Sequence, residues 1–285
     1  MNRTTMSYMV ATLVSLAALG TLIMQPTLAA AQTNNTDPSS GGASGGASGG
    51  AASSGAAFGS SANTNPACGQ VVSGNVTLTS NLNCSGDGLI VGDDSTVIHM
   101  NGYTIKGPGK GSSKVGLMIP AASNVEVEGP GQILDFQAAV LATGSSHVKV
   151  SRLVLEGNQI AAFMTGNSDA TITDNIITRN TIGTAAHSAK AVTIDSNIMD
   201  GNALAGITLV NTRDSAISGN NIQGSNDGVF MDPQSHDNVI NSNIAKQNTE
   251  DINNGNGLPV NINKNDFKDN LCTLSTPSGL CKGGQ

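Results

Sequence analysis

Three basic side chains recur at matched positions of this chain. Lys190, Arg213 and His236 are each 23 residues apart, and Ser168 stands 22 residues before the first. The residues that follow them are Asp169, Ala191, Asp214 and Asp237, and His147 lies one repeat further back. If the period is structural, a basic column runs beside an acidic one, with neighbours about 5 Å apart. Lysine and arginine at that spacing suit the carboxylates of a uronic acid chain. Arg213 or His236 is placed to take the proton beside such a carboxylate, and Asp214 and Asp237 to hold Ca²⁺ or orient the base. Lys190, Arg213 and His236 are therefore the candidate catalytic residues and Asp169, Asp214 and Asp237 the candidate binding residues, with calcium as the cofactor of this chemistry. A plainer reading stands beside this one. Turns collect charge, and alternating signs neutralise one another at about 0–1 kcal/mol per exposed pair.

The period itself is set by asparagine. Asn175, Asn197, Asn220, Asn243 and Asn265 are 22, 23, 23 and 22 residues apart, each three residues after an isoleucine (Ile172, Ile194, Ile217, Ile240, Ile262). A second apolar column follows at Ile177, Met199, Ile222, Ala245 and Phe267. Asn180, Asn202, Asn248 and Asn270 form a second ladder, with a one-residue slip to Asn226 in the intervening coil. A fixed period of this size marks a solenoid. Within one coil, residues 182–202, short alternating segments such as AVTI and IM are separated by Gly, Ser, Asn and Asp, so strand and turn alternate three times. A leucine-rich repeat would want Leu at most core positions and a longer convex segment, whereas GITLV (206–210) and GVFM (228–231) read as strands. The fold expected is all-β, a single parallel β-helix of roughly eight coils. Its asparagines stack at the bends, bonding the next amide and the turn backbone while tolerating a left-handed conformation.

The rest of the chain bounds where this rod sits. Residues 1–31 read as a secretory signal peptide, with Arg3, an apolar stretch over 8–24 and Ala29-Ala30-Ala31 before the cut. An uncleaved anchor is the alternative. Residues 32–66, rich in Gly, Ala and Ser, read as a disordered linker, which leaves 67–285 for the β-helix. The protein is thus expected to be secreted, at the cell surface or in the periplasm, with no membrane insertion beyond an N-terminal anchor. Cys68 and Cys84 lie near one end, Cys272 and Cys281 near the other, and a disulfide needs Cα atoms within about 7 Å. Local pairs stapling both end coils are expected, with free buried thiols as the alternative. A net charge of −7 argues against nucleic acid as a partner.

Repeats such as ATITDNIITRN and AVTIDSNIMDGN, with the opening CGQVVSGNVTLTSNLNCSGDGLIVGDDSTVIHMNGYTIKGPG, resemble secreted right-handed parallel β-helix proteins with pectate-lyase-like repeats, over about residues 85–270. The resemblance implies a right-handed helix with a capped first coil. It implies no single activity, because that family holds lyases, hydrolases, epimerases, copper-site accessory proteins and surface proteins. Phe230-Met231-Asp232-Pro233 is similar to the Asp-Pro-His core of alginate epimerases, which makes Asp232 a binding candidate. Gln234 stands where that motif has histidine and no tyrosine precedes it, so a plain proline turn is the alternative. Polygalacturonase signatures are absent. The histidines (His99, His147, His187, His236) are dispersed and no Met-x-x-Met occurs, so no metal site is expected. Without Trp, and with Tyr103 alone after the signal, there is no aromatic platform for sugar rings. The function expected is a monomeric, non-catalytic binding or structural module that contacts acidic extracellular polysaccharide. The alternatives are a lyase or C5-epimerase acting on uronate-containing glycans, and a periplasmic copper-site accessory protein.

Overall fold

The computed structural model describes residues 63–282, so the segments expected to be a signal peptide and, nearly all of it, a linker lie outside the described residues. The described chain winds into a parallel β-solenoid of about nine turns. Two sheets have ten strands and the third has eight. The eight strands of the third sheet mark the coils closed on all three sides, and the additional strands belong to the end coils. A central coil runs from a six-residue strand (Ile182–His187) through a bend to a three-residue strand (Thr193–Asp195). A second bend leads to another three-residue strand (Ile198–Asp200), and a third closes the coil. We call the corresponding sheets the long, second and third sheets.

The pattern of apolar residues explains the strands. Ile172, Ile194, Ile217 and Ile240 pair directly along the second sheet, and Ile177, Met199, Ile222 and Ala245 along the third. All are fully buried, and together they form two walls of one continuous core. Branched side chains suit a pleated surface, and burying each contributes about 1.5–3 kcal/mol. The long sheet behaves differently. Leu117, Val140, Ile207 and Val229 join the core, whereas their neighbours Leu141, Phe163, Ala185 and Phe230 belong to a second apolar cluster. Parallel strands buried on both faces read as unbroken apolar runs, which is why GITLV and GVFM show little alternation.

The asparagine ladder is present, with one change at its end. Nδ2 of Asn175 donates to Oδ1 of Asn197 at 3.0 Å, Asn197 to Asn220 at 3.0 Å and Asn220 to Asn243 at 2.9 Å. The next rung is Asn270, at 3.0 Å, and not Asn265, which instead accepts from Asn238. Four residues are inserted in the last coil: the long sheet keeps a 23-residue step from Met231 to Asn254, while the second sheet steps 27 from Ile240 to Phe267. Phe267 therefore stacks on Ile240 rather than Ala245, and Ile262 is exposed in a 3-10 turn (Val260–Ile262). In the second ladder the slot expected for Asn226 is filled by Ser225, whose N–H donates to Asn248 Oδ1 at 2.9 Å. The left-handed residue is also displaced by one. Asp174, Ser196, Gly219 and Ser242 adopt positive φ immediately before the ladder asparagines. The asparagine secures the bend and its predecessor makes it. Both end disulfides, Cys68–Cys84 and Cys272–Cys281, form as expected.

Candidate functional site

The bend between the long and second sheets carries the charged columns. Parallel bridges join Ser168 to Lys190, Lys190 to Arg213 and Arg213 to His236, so these residues occupy successive rungs. Between rungs the N–H of Asp169 donates to Lys190 O and that of Ala191 to Arg213 O, both at 3.1 Å. His147, Asp169, Ala191, Asp214 and Asp237 all adopt φ between 51° and 56°. Aspartate enters this left-handed region more readily than most residues, so the acidic column has a geometric cause as well as an electrostatic one.

The side chains are exposed and locally paired. Arg213 Nε lies 3.6 Å from Asp214 Oδ2, and His236 Nδ1 lies 2.7 Å from Asp237 Oδ2. His147 Nε2 reaches Asp169 Oδ2 across one rung at 3.9 Å. With side chains 41–66% exposed in the first two pairs, each contributes little to stability. Asp214 and Asp237 each lie against the basic side chain beside them rather than converging on one centre. Asp232 is placed apart from the columns. It is 5% exposed, and its Oδ1 accepts from Asn211 N at 3.0 Å, Ser235 N at 2.9 Å and Ser235 Oγ at 2.7 Å. It fastens the turn at Pro233 and ties it to the preceding coil.

One basic residue near the column was not found from the sequence. The N–H of Asp237 donates to Lys264 O at 2.6 Å, which places exposed Lys264 beside the end of the columns. The 27-residue step from Asn238 to Asn265 puts Asn263 opposite His236 and Lys264 opposite Asp237, so the insertion brings a cation to the acidic position. Lys264 also lines a cleft of about 410 Å³ together with Asp237, Val239, Val260, Asn263 and Asp266. A further titratable group lies at the end of a long strand. His187 is partly buried, its Nδ1 is 3.4 Å from Thr165 Oγ1, and burial lowers its pKa while Asp232 opposes that shift.

The family described as "Periplasmic copper-binding protein (NosD)" matches residues 80–278, more than half of the chain. The chain belongs to the NosD family. No curated protein matches the sequence. Among solved structures, a mutant DFA-IIIase from Arthrobacter chlorophenolicus A6 in complex with DFA-III has a TM-score of 0.51 and 13% identity, over 69% of this chain and 54% of that one. Alginate lyase from Paenibacillus sp. str. FPU-7 gives a TM-score of 0.38 at 10% identity, over 70% of this chain and 97% of that one. The A-module of the mannuronan C-5 epimerase AlgE6 from Azotobacter vinelandii gives 0.38 at 13%, over 72% and 70%. At such identities the match to DFA-IIIase shows the fold alone, and this chain spans about half (54%) of that protein's length.

The NosD description names copper, and the donor set can be tested against it. All four cysteines are in disulfides, and among the described residues no group of three or more His, Cys, Asp or Glu is gathered as a metal would need. Three of the histidines sit singly against carboxylates: His99 on Glu128, His147 on Asp169 and His236 on Asp237. The described residues of this NosD chain do not fit a preformed copper centre. Two disulfides and a family described as periplasmic do place it outside the cytoplasm.

Proposed function

We propose that this NosD-family chain is a non-catalytic extracytoplasmic module that holds an acidic polysaccharide along the bend bearing Lys190, Arg213 and His236. One observation carries the reading: three basic residues, Lys190 and Arg213 exposed and His236 half-buried, occupy successive rungs of a rigid ladder. Rungs about 4.8 Å apart present cations at an interval comparable to the carboxylates of an extended uronate chain. Arginine offers a two-pronged contact to a carboxylate, lysine and histidine a single one. The acidic neighbours keep the column from attracting every polyanion, and they leave hydrogen-bond acceptors for sugar hydroxyls.

The test is binding of the full chain to polygalacturonate and to alginate at low salt. Replacing Lys190 and Arg213 together by alanine is expected to weaken binding at least tenfold, and added salt to weaken wild-type binding. Equal binding by wild type and double variant would remove the column from the function. A second reading, a lyase or epimerase, draws support from the 2.7 Å contact between His236 and Asp237, which orients the ring as a base. Lyase chemistry would create an unsaturated, ultraviolet-absorbing product. No such product with either polymer, with or without Ca²⁺, is the expected result.

A further inference from the structure

The four residues inserted in the last coil fall in the same bend that carries the basic column, since the long sheet is in step there and the second sheet is not. Residues 255–264 form a bulge, and side chains hold it in one shape. Nδ2 of Asn263 donates to Leu258 O at 2.7 Å, its Oδ1 accepts from Asn265 N at 3.0 Å, and Asn256 Oδ1 accepts from Leu258 N at 2.9 Å. The 3-10 turn at its tip exposes Val260 and Ile262. Among the described residues the parallel bridges of the column run from Ser123 to His236 and stop there. The two ends of the column therefore differ. Toward Ser168, Ser146 and Ser123 it is small and uncharged. Beyond His236 it meets the bulge, with the cleft between them.

We propose that this cleft binds the terminal sugar of an acidic oligosaccharide, so that the protein recognises chain ends rather than chain interiors. The proposal rests on the reading of the column as a glycan track and adds its direction. A chain laid along Lys190, Arg213 and His236 runs into the wall at residues 255–264. Lys264 supplies the cation for the last carboxylate. Val239 and Val260 offer apolar surface to one face of the ring, while Asp237, Asp266 and Asn263 offer partners to hydroxyls. The cleft is open to solvent, with a volume of about 410 Å³.

The test uses the full chain and size-defined oligogalacturonates, from the trisaccharide up to the polymer, with calorimetry reading stoichiometry and affinity. End recognition gives a fixed number of proteins per glycan chain at every length, and Lys264→Ala binds the short oligosaccharides about tenfold more weakly. Both Lys264 and Val260 are exposed, so Lys264→Ala and Val260→Glu should fold, and equal unfolding midpoints would establish that they do. Val260→Glu should weaken the same oligosaccharides, by placing a charge on the apolar wall. Protein bound per glycan rising in proportion to chain length overturns end recognition and leaves the track intact. Full affinity in both variants overturns the role of the cleft. No binding at any length overturns the track reading, and this proposal with it.

Discussion

His187 shows how position sets the behaviour of a single side chain. It ends a strand of the long sheet, where partial burial disfavours the imidazolium and only Asp232 favours it, so its pKa lies below the usual 6.5. The sign of the pH effect follows. As pH falls through about 6.5, the unfolded chain takes up a proton at this residue before the folded chain does. Stability from His187 is therefore complete above that pH and declines below it. Comparison with a variant isolates the residue. Between neutral pH and about pH 5, wild type should lose more stability than His187→Gln in chemical denaturation. Equal losses in the two proteins would show that His187 is solvated like a free imidazole.

At the scale of a repeated element, the asparagine at each bend joins two coils. Asn197 is 1% exposed. Its Nδ2 donates to Ile172 O and Asp195 O, both at 2.9 Å, and to Asn220 Oδ1 at 3.0 Å. Its Oδ1 accepts from the backbone and side-chain nitrogens of Asn175, both at 3.0 Å. Alanine would leave several buried polar groups without partners at about 1–3 kcal/mol each, so Asn197→Ala should cost about 3 kcal/mol or more by urea denaturation. A loss below about 1 kcal/mol would mean that water replaces the amide. This recurring requirement is why the fold could be read from the sequence: a polar residue returns to the same place in successive coils from Asn175 to Asn270, and the short amide of asparagine supplies donor and acceptor together. Where the demand is weaker the sequence is less telling. Ser225 takes the slot in the second ladder through its backbone N–H alone, with its buried hydroxyl unpartnered, and the reading slipped to Asn226. The final bulge lengthened a bend without altering either flanking strand, so a constant step carried the register to Asn265 rather than Asn270 and stopped short of Lys264. The exposed column itself could be located but not assigned, because a bend tolerates a left-handed aspartate whether or not a ligand touches it.

On the scale of the whole molecule, each coil touches only its neighbours, so stability is the sum of many similar interfaces and the two ends are its weak points. The disulfides lie at those ends. Cys68–Cys84 closes a separation of 16 residues in the opening coil, and Cys272–Cys281 closes one of 9 in the last. In a compact two-state domain, losing a crosslink of this size would lower the stability of every residue by about 2–4 kcal/mol. A solenoid should respond locally. Replacing Cys272 and Cys281 by serine releases the segment that follows the last complete coil, whereas Ile194 and Ile217 keep coils above and below them. Amide hydrogen exchange distinguishes the two cases. The double variant should lose protection over Asp266–Lys268 and Ser275–Thr276 and keep it over Thr193–Asp195. Loss spread evenly along the rod would show a single cooperative unit. Under the local response, the cleft at Lys264 becomes mobile while Lys190 and Arg213 stay in place. The same variant should then lose affinity for short acidic oligosaccharides and keep a weaker, salt-sensitive attachment to the polymer.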